Sequence, residues 1–238
     1  VVPVTAKIRI GIDDEHETFL DVAKIAESAG IQALTLHART TQQHYSGVAQ
    51  WDAIKTLKEH VKISVFGNGD IFEVADAQKV MAQTGCDGVV VGRGCQGRPW
   101  IFFDLAAALN GGSAEFHPNL AQVTDIVMRH AELLVAHFND ELKALREMRK
   151  HTAWYLRGFS VGGEHRNALA LVSTLAELRQ RLDVLDLSQE YPESAQGKRG
   201  RAGGPKRPHL PEHWLESHQL NADQRAKIQE AEIGISGG

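Results

Sequence analysis

Four stretches of the chain collect side chains that bind or carry charge. Lys7 and Arg9 alternate with Ala6, Ile8 and Ile10; His37, Arg39 and Thr40 close an apolar run at 33–37; Gly67, Asn68, Gly69 and Asp70 close another at 61–66; Gly92, Arg93 and Gly94 close one at 88–91. Glycines at such points leave backbone N–H groups open to phosphate oxygens, and the helix that follows adds its positive dipole end. Two glycine turns in succession, the second carrying Arg93, point to a phosphate site, although either turn by itself is equally explained by turn geometry. Lys7 has two readings. On a face turned into a cavity it needs an anionic partner, whereas on a face reaching solvent it needs none, and alternation with Thr5 and Arg9 does not choose between them. His37 is likewise either a ligand at a strand end or a satisfied core histidine. Cys86 and Cys95 have no base nearby in sequence, so neither reads as a nucleophile, and no metal site is expected.

The elements that must position these residues follow from periodicity. The runs 4–10, 33–37, 61–66 and 88–91 are rich in Val, Ile and Leu and begin about 28 residues apart, the size of a βα repeat. Between them apolar residues recur at helical spacing: Phe19, Val22, Ala23, Ala26; Trp51, Ile54, Leu57; Val74, Ala77, Val80, Met81. The fold class is therefore α/β, four parallel βα units, and ligands are met at the carboxyl ends of such strands. If the four are strands five to eight of a TIM (β/α)₈ barrel, the two glycine turns fall where phosphate sites are frequently built.

Beyond residue 109 the texture changes. Asn110, Gly111, Gly112 and Ser113 punctuate the chain, Pro118 marks a helix start, and residues 119–139, 141–157 and 166–183 carry helical periodicity without strands. The expected division is a half barrel at 1–112, a small all-α helical domain at 118–186 and a flexible basic tail at 187–238. The second helix of that domain carries Arg146, Arg149, Lys150, His151 and Arg157 beside Trp154 and Tyr155. Its basic side is either an ordinary solvated face or a nucleic-acid contact, and its aromatics either pack in the core or stack on bases. Residues 188–212 lose periodicity, gather Gly and Pro, and carry Lys198, Arg199, Arg201, Lys206 and Arg207, which reads as a linker. A short polar helix is expected at 222–231.

Composition bounds the rest. A net charge of −4 over 238 residues gives no global basic field, so any nucleic-acid surface is local. Two cysteines without a CxxC pattern fit a reducing cytoplasm, and no uninterrupted apolar stretch suits a membrane span. The chain opens on Val1, directly before a strand-like run, as a fragment of a longer protein would.

The ordered series VPVTAKIRIG, ALTLHARTTQQHYSGVAQWDAIKTLK, VFGNGDI, DGVVVGRGCQGRPWIF and REMRKHTAWYLRG resembles the tRNA-dihydrouridine synthases over residues 2–185. The resemblance implies a TIM-barrel flavoenzyme with an appended helical domain, reducing the C5=C6 bond of uridine in tRNA with NADPH through FMN. It implies that Lys7 faces the flavin ring with His37 near it, and that Asn68, Gly69, Asp70, Gly92 and Arg93 hold the ribityl and phosphate end. Arg39 is similar to a residue at the substrate and tRNA mouth, and Arg149 and Lys150 are implied to contact the tRNA backbone. The family's catalytic cysteine lies in an N-x-G-C-P-type motif that this sequence lacks, so the chain is expected to be inactive as given. Two other readings stay open: another FMN- or phosphate-binding TIM-barrel oxidoreductase acting on a small molecule, and a non-catalytic RNA-binding half-protein.

Overall fold

The computed structural model describes residues 2–112, 115–217 and 219–235; Val1 and Ser113 lie outside them. Strands β1 (Thr5–Arg9), β2 (Ala33–His37), β3 (Ser64–Asn68) and β4 (Gly88–Val90) pair in sequence order, all parallel. Helices α1 (Phe19–Ser28), α2 (Trp51–His60) and α3 (Val74–Thr84) connect them, and α4 (Ile101–Leu109) follows β4. The result is an α/β fold consistent with part of a (β/α)₈ barrel.

Side-chain alternation sorts the two faces of the sheet. Leu34 and Leu36 of β2 and Val65 of β3 pack with Phe19 and Ala23 of α1, Ile54 and Leu57 of α2, and Ala77 and Val80 of α3. Gly67 shares this face, where a Cβ would lie 3.3 Å from both Ile54 Cδ1 and Cys86 Sγ. The other face carries Lys7, Arg9, Thr35, His37, Phe66 and Asn68 and has no helix layer belonging to α1–α3. The third strand starts later than the apolar run at 61–66 suggests, because Val61 ends α2 through its N–H to Leu57 O and is buried there as a core residue.

A second core forms among α5 (Leu120–Phe138), α6 (Glu141–Tyr155), α7 (Gly163–Leu169) and α8 (Leu175–Asp183). Val123, Val127 and Ala131 of α5 meet Ala144, Leu145 and Met148 of α6 and Leu178 and Leu182 of α8, each set at spacings of three and four. Asn119 and Gln122 make a reciprocal capping box at the start of α5. Asn139, in the left-handed region at φ 50°, ends that helix, and Asp140 caps α6 by accepting from Lys143 N at 3.0 Å. So short a connection makes α5 and α6 antiparallel neighbours.

Two expectations change. The stretch 166–183 is two helices rather than one, because Thr174 Oγ1 accepts from Glu177 N at 3.1 Å and caps a new helix there. Residues 189–201, which composition assigns to a flexible linker, lie against the folded body. Gln189 Oε1 accepts from Ser160 N at 2.8 Å, Gly197 N donates to Glu73 Oε1 at 2.7 Å, and Arg199 is buried. Gly158, at φ +84°, makes room for this strap, since a Cβ there would sit 2.8 Å from Pro192 Cγ. Gly and Pro content reports the lack of periodicity but not the presence of partners. The tail helix α9 spans Ala222–Ile235.

Candidate functional site

Parallel register puts the chemistry in one row. Arg9 pairs with His37, His37 with Asn68 and Asn68 with Val90, so the last positions of all four strands lie side by side, with Lys7 one step below on the same face. Above the row the two glycine turns enclose a cleft of about 240 Å³. Lys7, His37, Asn68, Gly69, Asp70, Gly92 and Arg93, all singled out from sequence, line it. Arg9, Tyr45 and Phe72 line it as well. Tyr45 comes from the loop between β2 and α2, whose length of about a dozen residues exceeds the usual two to six for such a connection; that excess is the signal that the loop does more than connect.

The first turn is held in an unusual backbone shape. Gly69 has φ +125° and Asp70 φ +53°. A Cβ on Gly69 would fall 2.9 Å from Ala49 Cβ, so only glycine fits against the β2–α2 loop. Asn68 donates its side-chain N–H to Val90 O at 2.7 Å, tying the turn to the next strand. Among the described residues the N–H groups of Gly69, Asp70, Gly92 and Arg93 find no acceptor. A ring of unpaired N–H groups at a strand end is a preformed anion cradle.

Charge at the cleft is strongly one-sided. Asp70 accepts from Arg39 Nη2 at 2.7 and 2.9 Å and from Ala49 N at 2.8 Å, and Arg93 Nη2 lies 3.2 Å from it. Burial raises the Asp70 pKa, but those hydrogen bonds and cations outweigh it and hold the carboxyl below its usual range. This single carboxylate faces Lys7, Arg9, Arg39 and Arg93. The Arg93 guanidinium is 4.7 Å from the Tyr45 ring centre and 5.4 Å from that of Phe72, which fixes its plane. Lys7 has no hydrogen-bond or ion-pair partner among the described residues, and desolvation together with the charge of Arg9 holds its ammonium below the ordinary lysine value. His37 is 7% exposed. Burial, then the cations Arg9, Lys7, Arg39 and Arg93, push its pKa down to about 3, so its imidazole is neutral at physiological pH.

Other expected contacts lie elsewhere. Arg39 is not at an open mouth: it is 1% exposed, and besides Asp70 it donates to Ser46 O and Gly47 O, each at 2.9 Å. Its type and position suggest a ligand contact, but all that the structure offers it is the Asp70 turn and the β2–α2 loop. Arg149 likewise donates to Val172 O and Leu171 O at 2.9 Å and to Ser173 Oγ at 3.1 Å. Lys150 is exposed on α6, beside Glu147. Trp154 is half-buried, and Tyr155 is a core residue whose hydroxyl lies 3.1 Å from His130 Nδ1. Cys86 is buried, and the Cys95 thiol donates to Gly92 O at 3.1 Å, with burial pushing its pKa up. No group of three or more His, Cys, Asp or Glu among the described residues is placed to hold a metal ion. No described helix is long and apolar enough to cross a membrane.

Comparison with known proteins gives a consistent picture. Residues 1–192 match the model of the family described as dihydrouridine synthase (Dus). A probable tRNA-dihydrouridine synthase of Mycobacterium tuberculosis (strain ATCC 25618 / H37Rv) is 54% identical over 215 residues, 90% of this chain and 55% of that protein. Its counterpart in Mycobacterium leprae (strain TN) is 55% identical over 215 residues, 90% of this chain and 56% of that protein. One in Rickettsia conorii (strain ATCC VR-613 / Malish 7) is 38% identical over 180 residues, 76% of this chain and 54% of that protein. The chain spans about half the length of these curated relatives.

Proposed function

The chain belongs to the dihydrouridine synthase family, and from this premise we propose that it forms the phosphate-holding and RNA-facing part of a cytoplasmic tRNA-dihydrouridine synthase. The observation that carries the reading is the cleft: unpaired N–H groups of two glycine turns, Arg93 with its plane fixed, and a partnerless Lys7 around one already neutralised carboxylate. That donor set fits FMN, whose phosphate needs N–H groups and an arginine. A flavin bound there would supply hydride chemistry for the C5=C6 bond of a tRNA uridine, with NADPH as reductant.

The chain's own residues then have separable roles. Gly69, Asp70, Gly92 and Arg93 hold the phosphate through backbone N–H groups and the guanidinium. Asn68, through its bond to Val90 O, fixes the turn that would hold the ribityl chain. Lys7 sets a cation where the reacting ring gathers negative charge. His37, being neutral, offers a hydrogen bond and no charge. Arg39 is a positioning residue, because it clamps Asp70 and the β2–α2 loop and thereby the shape of the cradle. The tRNA backbone meets exposed cations of α6, of which Lys150 is one, while Arg149 holds the α7–α8 turn in place. A uridine must leave the folded RNA to reach the cleft.

Four βα units are half of a (β/α)₈ barrel, and the margins of the layer support that reading. Val22 and Ile25 on α1 are 39% and 69% exposed, and Phe102, Phe103 and Leu109 on α4 are 50%, 62% and 51% exposed. These are the outermost helices at the two unpaired sheet edges, where further βα units would cover them. The acid that protonates the uracil would come from the N-x-G-C-P motif of those units. A chimera joining the first half of the M. tuberculosis relative to this chain is therefore expected to restore dihydrouridine in tRNA of cells lacking it, measured by nucleoside mass spectrometry. The 238 residues by themselves, with FMN, NADPH and unmodified tRNA, are expected to form none. An active isolated chain would refute the half-site reading, and an inactive, folded chimera would refute the function.

A further inference from the structure

Arg199 and Gly200 of the strap border another hollow, of about 320 Å³. Arg157 at the end of α6, Arg166 on α7 and Arg199 of the strap line it, together with Trp154, Gln96 and Gly200. None of the three arginines has a carboxylate within ion-pair distance among the described residues. Each is anchored only by backbone carbonyls. Arg157 Nη1 donates to Lys198 O at 2.5 Å, Arg166 Nη2 to Leu156 O and Phe159 O at 2.9 Å, and Arg199 to Gln96 O and Ala195 O. Those bonds leave other N–H groups of the three guanidiniums unused. Arg199 is 7% exposed and its Nε has no partner. Three like charges gathered around one hollow repel each other unless an anion joins them.

We propose that Arg157, Arg166 and Arg199 form a phosphate-binding pocket for the backbone of the substrate RNA. The proposal rests on the RNA-modifying reading above and adds to it a site built by the strap. Position argues for a polymer rather than a free ion. A Cβ on Gly200 would stand 2.6 Å from Gln96 Oε1, which lines the pocket, and 2.9 Å from Arg93 Cγ, whose residue lines the cleft, so the strap and the 93–96 turn form a shared wall of pocket and cleft. A nucleotide chain with one base in the cleft has its neighbouring phosphates within a few ångströms of that wall, and Trp154 at the rim offers a ring for stacking. The family match ends at residue 192, yet the 215-residue match to the mycobacterial relatives must include residues 193–207. The pocket's third arginine thus belongs to a segment shared with those relatives and lying outside the family match.

The test measures binding of an unmodified tRNA transcript to the chain across a salt series, for the wild type, Arg157→Gln, Arg199→Lys and, as a charge-matched control on α1, Lys24→Gln. Arg157 makes a single hydrogen bond to the strap, so its replacement leaves the fold intact by circular dichroism. Arg157→Gln is expected to weaken binding about tenfold and to lower the salt slope by about one, while Lys24→Gln leaves both unchanged. Arg199→Lys is expected to weaken binding less, because it keeps the charge and loses the fork. Inorganic pyrophosphate is expected to compete with tRNA on the wild type and not on Arg157→Gln. Equal affinity and slope for wild type and Arg157→Gln overturn the proposal. Pyrophosphate binding that Arg157→Gln abolishes while tRNA binding stays untouched overturns the RNA assignment. Failure of the chimera to make dihydrouridine while Arg157→Gln weakens tRNA binding would refute the catalytic reading and support the pocket.

Discussion

At the carboxyl ends of the strands, Lys7 and the N–H groups of the two glycine turns are left without partners among the described residues; in the α5–α8 cluster, Arg149 is committed to the chain itself. Arg93 and Arg149 make the contrast concrete. Each follows or ends an apolar pattern in a basic stretch, and each looks like a phosphate contact in the sequence. Arg93 lies against the Tyr45 and Phe72 rings, shares one carboxylate with Arg39 through Nη2 and donates Nη1 to Arg201 O at 3.1 Å, and it still lines the cleft. Arg149 donates three hydrogen bonds to residues 171–173. The difference teaches that charge type marks a candidate, but the partners left unfilled mark a site.

Substitutions can break this contrast, and the largest effect is expected at the boundary between the two behaviours. Asp70→Ala strands the buried Arg39 guanidinium and is expected to cost ~3–5 kcal/mol in urea unfolding. A loss below 1 kcal/mol would mean that Arg39 is not held by that carboxylate. Arg149→Ala leaves the carbonyls of Leu171 and Val172 without their donor and is expected to cost about 1–3 kcal/mol, with flavin binding unchanged. His37 sharpens the comparison through pH. Its folded pKa of about 3 lies below the unfolded value near 6.5, so the unfolded chain takes up the proton first and stability falls as pH drops through that window. Between pH 7 and pH 5 the contribution is about 2 kcal/mol, and His37→Gln is expected to flatten that part of the stability profile. Lys150→Gln, on an exposed position, is expected to shift stability by no more than about 0.5 kcal/mol, while lowering tRNA affinity at low salt.

Much of the architecture is legible because it depends on local pattern. The spacing of four apolar runs gives the parallel sheet, and strand ends give the cleft, so nine residues named from sequence come together there. The rest depends on what meets what. Tyr45 and Phe72 reach the cleft through tertiary packing that no periodicity encodes. Arg39 reads as a contact residue until Asp70, thirty-one positions away, is seen to accept its hydrogen bonds. The stretch 166–183 keeps one helical period across a break made by the Thr174 cap. The strap at 189–201 is Gly-rich for the same reason that loose linkers are, yet Gly158 and Gly200 mark where its backbone comes closest to other segments.

The central claim is that the free donors at the strand ends hold the phosphate of FMN. Fluorescence titration of the chain with FMN and with riboflavin, which lacks that phosphate, tests it most directly. FMN is expected to bind about 10- to 100-fold more tightly than riboflavin, and Arg93→Ala is expected to close most of that gap while leaving riboflavin affinity unchanged. Equal affinity of the wild-type chain for FMN and riboflavin would contradict it.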